Sequence, residues 1–216
     1  IALREGLVAY YPLDGDTNDY IGNNDLVIQG DVSSTEDAIL GNAYNLNGGY
    51  LEAEDGTLLN NFSAATLCGW VKLSSLTQYA GLFNTRNDTG DPFFSIQQDV
   101  TNRKQAFFWF VKDGEYSQAQ NGSYVGNIDT GSFYYICGTW DGSTGQVKIY
   151  SNGSYVDLGS HSGVVGTLGS ALTDLYIGYN GENVSRGIFD EVAIWNRALS
   201  ADEISDLYNS GDGLSL

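Results

Sequence analysis

The stretch GIFDEVAIWNRALSADEISDLY, residues 187–208, carries an adjacent acid pair, Asp190 and Glu191, near the start of an alternating run. Two carboxylates can cleave a glycosidic bond with retention when they flank it about 5 Å apart, a spacing that i, i+2 positions on one strand face supply. Neighbouring residues of a regular strand point to opposite faces, so parity separates Asp190 from Glu191 and argues against a catalytic dyad. Glu52 and Glu54 in YLEAEDG do stand two apart, but on a short run that leads into a loop, with no third acid in phase. Serine chemistry lacks its base. The one histidine, His161, lies in the Gly/Ser stretch DLGSHSGVVG, outside any strand–turn–helix setting that a nucleophile elbow requires. Two distant cysteines and one histidine do not make a zinc site, and no glycine-rich turn carries a phosphate-binding lysine. A non-catalytic chain is the expectation, with a hydrolase or lyase as the least favoured reading.

Hard oxygen donors are more promising. In DGDTNDYIGNND, residues 14–25, Asp14, Asp16 and Asn18, with Asp25 twelfth, imitate the spacing of a helix–loop–helix calcium loop. Position six is Asp19 rather than glycine and the flanks read as strands, so that motif fails while the ligand chemistry survives. The competing reading is an Asx-turn loop with solvated carboxylates. The thiols also leave two readings open. In ATLCGWVKL, Cys68 shares a strand face with Trp70, and in FYYICGTWDG, Cys137 lies with Tyr135 and Thr139. If Leu67/Val71 and Ile136/Trp140 face the core, both cysteines lie on one sheet face. They can bond only if the strand order brings their Cα atoms within about 7 Å; otherwise they are two small buried thiols.

The elements that must position these groups are strands. Ten alternating runs are expected, at 6–13, 25–30, 65–73, 80–86, 92–99, 105–112, 133–140, 146–153, 175–180 and 188–195. Between them sit Asn/Asp/Gly turns such as NDTGDP, DGSTG and NGE, which tight hairpins favour. Short strands with almost no helical period indicate an all-β, two-sheet antiparallel sandwich, and a chain of 216 residues can form it as one domain, 1–216. The abrupt start IALREG reads as a domain excised from a larger protein. One helix is expected, with Ser200 as N-cap, Glu203 completing a capping box, Leu199 and Ile204 as a hydrophobic staple, and Gly211 at its end. With 9 Lys+Arg against 27 Asp+Glu the net charge is -18, which disfavours nucleic acid and anionic lipid as partners and suits divalent cations and neutral ligands. No apolar run is long enough to insert in a membrane, and a secreted, extracellular or cell-surface setting is expected.

Five segments then take on a collective meaning: GLVAYYPLDGDTNDYIGNN, GNAYNLNGGYLEA, FSAATLCGWVKL, YYICGTWDGSTGQVKIYSNG and GIFDEVAIWNRALSADEISDLY. In this order they resemble the laminin-G-like, concanavalin A-like jelly-roll domains of secreted bacterial proteins, leaving roughly 79–131 without a signature. The resemblance implies a jelly-roll sandwich whose concave face or end loops bind glycans or proteins, and a structural Ca²⁺ between the N-terminal loop and the last strand. Asp19 matches the acid of the family's Asp-x-x-Gly-Asn loop and Asp190 the acid of the closing strand. The expected metal set is Asp14, Asp16, Asp19, Asn24 and Asp190, with Glu191 on the opposite face. For a glycan, the expected contacts are Tyr79, Arg86, Asn87, Asp91, Arg103, Trp109 and Tyr116 from the unsigned region and Tyr179, Asn180 and Arg186 from YNGENVSRG. Taken singly, each of these can equally be core or a solvated charge. The function expected is a carbohydrate-binding module attached to a secreted polysaccharide-active protein; the alternative is an adhesion domain that uses the same loops on a protein receptor.

Overall fold

Period-two alternation broken by Gly, Asn and Asp turns folds the chain into strands. The computed structural model describes residues 2–53, 56–87, 92–99, 105–112, 115–118, 128–156, 165–168 and 172–216. Within these residues the strands are β1 (Leu7–Tyr11), β2 (Val27–Gln29), β3 (Val32–Thr35), β4 (Ala43–Leu46), β5 (Tyr50–Ala53), β6 (Ala64–Ser75), β7 (Gly81–Asn87) and β8 (Pro92–Asp99). They continue as β9 (Gln105–Lys112), β10 (Glu115–Gln118), β11 (Tyr134–Asp141), β12 (Gln146–Ser151), β13 (Ser154–Val156), β14 (Leu172–Ile177) and β15 (Arg186–Trp195), followed by helix α1 (Ala201–Tyr208).

An eight-stranded sheet runs β13-β12-β11-β6-β15-β4-β3, with β1 also pairing β15; a seven-stranded sheet runs β10-β9-β8-β7-β14-β5-β2. The pairing is antiparallel throughout the named ladders, and the two sheets form the expected jelly-roll sandwich. Strands β3, β4, β5, β10 and β13 were not among the alternating runs, because at three or four residues each they are too short to show a period.

Leu67, Val71, Ile136 and Trp140 from one sheet meet Leu51, Phe83, Ile96, Leu175 and Ile177 from the other in one buried core. The eight-stranded sheet is apolar on its outer face as well, where Cys68, Trp70, Tyr135, Cys137, Tyr150 and Trp195 pack under Leu199, Ile204 and Leu207. That second layer explains α1. Ser200 and Glu203 form the capping box, and Arg197 grips Glu203 with two nitrogens at 2.9 and 2.7 Å. This guanidinium contact holds the Glu203 carboxyl down to about 2. The helix ends earlier than expected, at Asn209 in the left-handed conformation, and a 3-10 turn over Asn209–Gly211 follows. Asparagine is the side-chain-bearing residue that sometimes takes this left-handed position in place of glycine.

The strand order decides the cysteine question. Strands β6 and β11 are neighbours with Cys68 directly opposite Cys137, their Cα atoms are 4.1 Å apart, and the sulfurs are bonded. The bond closes a separation of 69 residues, for which chain entropy gives a contribution of about 4 kcal/mol. The double substitution Cys68→Ala/Cys137→Ala should therefore lower the denaturant-derived stability by roughly that amount. Thiol titration of the denatured, unreduced protein should find no free sulfhydryl.

Candidate functional site

Strand β15 does not keep a regular parity. Asp190 pairs with Trp70 and Ala193 with Cys68, so three steps on β15 face two on β6. Phe189 and Val192 point into the core, and Ala193 and Trp195 into the outer layer. Glu191 is the extra residue of this bulge, held at φ 51°. Its carboxylate accepts a hydrogen bond from Tyr10, a member of the outer layer. The expectation that Glu191 lies on the face opposite Asp190 is thus corrected: the bulge turns both acids outward, under the C-terminal segment.

Both are buried, Asp190 completely. Asp190 Oδ2 accepts the N–H groups of Ile39 at 2.8 Å and Leu40 at 3.3 Å, while its Oδ1 is buried with no hydrogen-bond partner. Asp14 Oδ1 accepts the N–H of Asn42 at 2.6 Å. It passes over Gly41, where a Cβ would land on the Asp14 carboxylate. Segment 39–42 is consequently clamped between an acid of the N-terminal loop and one of the last strand. Burial pushes the Asp190 carboxyl up to about 7 against the pull of the Ile39 and Leu40 N–H groups, with the Asp14 charge adding to the rise. Burial pushes Glu191 up to about 8, opposed by the Tyr10 hydrogen bond and reinforced by the charges of Asp190 and Asp14.

The rest of the expected metal set is engaged elsewhere. Asp19 Oδ1 accepts from Tyr10 N at 3.1 Å and Ile21 N at 3.0 Å, and its Oδ2 from Asn24 N at 3.3 Å. Asp16 caps Asn18 N at 3.1 Å, and Asn24 offers its carbonyl to the Tyr11 hydroxyl at 2.8 Å. Asp19 and Asn24 thus organise their own turn. No group of three or more His, Cys, Asp or Glu side chains among the described residues stands ready to hold a metal. A cation here would draw on the Asp190 and Asp14 carboxylates and on backbone oxygens, and the orphaned Asp190 Oδ1 fits such a ligand.

The outer face of the seven-stranded sheet has a different character. Leu51, Ala53, Leu175 and Ile177 face the core, so Tyr50 and Glu52 of β5 and Asp174 and Tyr176 of β14 face outward. Tyr50 stacks on Tyr179 with ring centroids 4.4 Å apart, and Tyr176 stands edge-on to both at 5.7 and 5.3 Å. Burial raises the Tyr176 hydroxyl, and the nearby carboxylates of Asp174 and Glu52 add to the rise. Gln29 donates to Glu52 at 3.2 Å. At the adjoining turn, the Arg86 guanidinium occupies the space that a side chain on Gly181 would take. Asn180 donates to the Tyr79 carbonyl and Asn84 to the Tyr179 carbonyl, each at 2.7 Å. Arg186 donates to the Asn47 carbonyl at 2.7 Å, just before Tyr50.

Of the expected glycan contacts, the structure gathers Tyr79, Arg86, Tyr179 and Asn180 at this turn, with Arg186 beside it. Asp91 and Arg103 lie outside the described residues, as do the side chains of Asn87, Trp109 and Tyr116. Sequence reasoning missed Tyr50, Glu52, Asp174 and Tyr176 as members of one surface. They stand in YLEA and LTDLYI, and only the β5–β14 pairing brings them side by side. Aromatic faces edged by carboxylates, amides and a guanidinium can stack on a sugar ring and satisfy its hydroxyls.

A family model described as the concanavalin A-like lectin/glucanase superfamily matches residues 45–205. No curated protein sequence matches the chain. Among solved structures, domain 4 of the extracellular GH43 arabinanase AbnA from Geobacillus stearothermophilus, in complex with arabinotriose, superposes with TM-score 0.73 at 22% identity over 93% of this chain and 97% of that one. The binding domain of Paraclostridial Mosquitocidal Protein 1 gives TM-score 0.72 at 18% identity, over 97% of this chain and 53% of that one. Trypanosoma rangeli sialidase in complex with sialic acid gives 0.69 at 18% identity, and there this chain spans 33% of the sialidase. At these identities the likeness is one of fold.

The buried acids make stability depend on pH with a defined sign. Both carboxyls titrate higher in the folded chain, to about 7 and about 8, than an ordinary unfolded carboxyl near 4. The folded state therefore holds more protons in that window, and stability falls as pH rises. Melting temperatures of the chelator-treated protein should descend between pH 5 and pH 8. Asp190→Asn should flatten the descent and raise the melting temperature at pH 8.

Proposed function

The chain belongs to the concanavalin A-like lectin/glucanase superfamily, and we propose that it is a non-catalytic carbohydrate-binding module of a secreted polysaccharide-active protein, with a structural calcium ion. The observation that carries the reading is the outward aromatic cluster of Tyr50, Tyr176 and Tyr179, edged by Glu52, Asp174, Gln29 and Arg86. Tyrosine faces take up the apolar faces of a sugar ring, and the surrounding planar polar groups sort its hydroxyls. Domain 4 of the arabinanase, which carries arabinotriose, spans almost the same length of chain and supports the reading. The absence of turnover is supported by the engagement of the acids. Glu52 is engaged by Gln29 beside the Tyr176 hydroxyl, and Asp190 and Glu191 are buried away from any substrate. An oxidising, extracellular setting is supported by the Cys68–Cys137 bond.

A glycan array should return at least one polysaccharide or oligosaccharide ligand without release of reducing ends. Tyr50→Ala and Tyr179→Ala should each weaken that binding by about tenfold, the cost of an aromatic anchor at an interface. Retained affinity in both variants would place the ligand elsewhere.

The calcium ion would be held by Asp190 and Asp14, where it neutralises a carboxylate that is otherwise buried with an unpaired oxygen. It would tie the N-terminal loop to the last strand. Ligand at a hundredfold excess over Kd stabilises the folded state by about 2.7 kcal/mol, so chelation should lower the melting temperature by about 5–10 °C for a chain of this size. Asp190→Ala should abolish that response. Asp19→Ala should lower stability generally yet keep the response, because Asp19 serves its own turn. An Asp190→Ala protein that still answers to calcium like the parent would remove the metal from this strand.

A further inference from the structure

The outer face of the eight-stranded sheet holds a cavity that the carbohydrate reading does not use. It lies beside the buried acids and away from the tyrosine cluster. Asn45 of β4, Ile188 of β15 and Lys72 of β6 form one cross-strand row in register, and Asp37, Ser74 and Gly131 complete the rim of a space of about 220 Å³. Lys72 Nζ bonds Asp37 at 2.6 Å and stands 5.2 Å from the centroid of the Phe133 ring, so the ammonium is fixed at the mouth.

From this geometry we infer a second carbohydrate site, one that takes a single neutral sugar ring. The cavity is smaller than the roughly 300 Å³ at which pockets for drug-sized ligands begin. It holds the equivalent of about seven waters at about 30 Å³ each, enough for one ring. Its rim carries the donors and acceptors that a hydroxylated ring can use. The Asn45 amide gives and accepts, Lys72 gives, Asp37 accepts, and the exposed Ser74 hydroxyl does both. Ile188 supplies an apolar wall for ring carbons. The one cation is already paired with Asp37, and the chain carries a net charge of -18, so an anionic sugar finds no surplus positive charge. The inference rests on the carbohydrate reading for its ligand class but on a different face of the sandwich for its place. Such a module can hold a polymer on its tyrosine face and a terminal ring on the other.

The test is amide chemical-shift mapping of ¹⁵N-labelled protein with the methyl glycosides of common neutral hexoses and pentoses. At least one glycoside should shift the amides of Asn45, Lys72 and Ser74. Ser74→Trp, which fills the mouth from an exposed position, and Lys72→Ala should each weaken that effect at least tenfold, with the remaining spectrum unchanged to show that both variants are folded. Tyr179→Ala should leave it intact. Shifts confined to the surroundings of Tyr50 and Tyr179 would overturn the second site while the carbohydrate reading stands. Absence of any shift from every glycoside would also overturn the second site, and the glycan array, which reads polymers on the other face, would then judge the carbohydrate reading by itself.

Discussion

Strand β15 is paired on both edges. Its inner edge runs along β6, and its outer edge is shared by β4 over Gly187–Phe189 and by β1 over Val192–Trp195. The place where β4 hands over to β1 is where Asp190 and Glu191 sit, and the ladder there gains one residue. Segment 39–42 fills the gap, and its N–H groups have no strand to pair with. Carboxylates satisfy them instead, Asp190 at Ile39 and Leu40 and Asp14 at Asn42. An acid at this seam resolves a backbone hydrogen-bonding problem, since unpaired buried N–H groups are costly. It also creates an electrostatic one, because a buried carboxylate oxygen without a donor is unstable as a bare anion. Burial accordingly raises the Asp190 carboxyl to about 7, so the seam between the first and last strands depends on its protonation.

The two outer faces divide the remaining work. The eight-stranded sheet presents Trp70, Tyr135, Tyr150 and Trp195, which would be an exposed apolar patch without α1 and the C-terminal segment above them. The capping box and the Arg197–Glu203 pair place the helix over that layer, and the Cys68–Cys137 bond lies beneath it. The seven-stranded sheet carries instead a polar outer row. Asn84, Ser95 and Gln97 are buried there and hydrogen-bonded to one another, beside the stacked Tyr50 and Tyr179 and the edge-on Tyr176.

Legibility followed the range of the interaction. The helix start was readable because a capping box and a staple span only a few residues. Strand parity was readable in β6 and β11, where it assigned the faces of Leu67, Val71, Ile136 and Trp140 and put both cysteines on one side. Parity failed at Glu191, because a bulge is set by the partner strand and leaves no local mark in FDEVAIW. Short strands such as β5 were lost for want of a period, and with them Tyr50 and Glu52 as members of the tyrosine surface. The N-terminal loop was recognised as rich in oxygen donors, but which donors turn inward on their own backbone was invisible. Asp19 closes a turn around Tyr10, Ile21 and Asn24, while Asp14 reaches across to Asn42.

By itself the sequence determined the class of the fold, the capped helix, the acidic character of the chain and the residue types available for a sugar or a cation. These rest on alternation, on composition and on contacts between residues close in the chain. Only the tertiary structure decided which residues share a surface. Cys68 meets Cys137 because β6 and β11 are neighbours, and Tyr50 meets Tyr176 and Tyr179 because β14 lies between β7 and β5. Asp14 and Asp190 close on the same segment, 39–42, and the first strand pairs with the last. Strand order is chosen by the sum of many weak long-range burials, and no single stretch of sequence carries that sum.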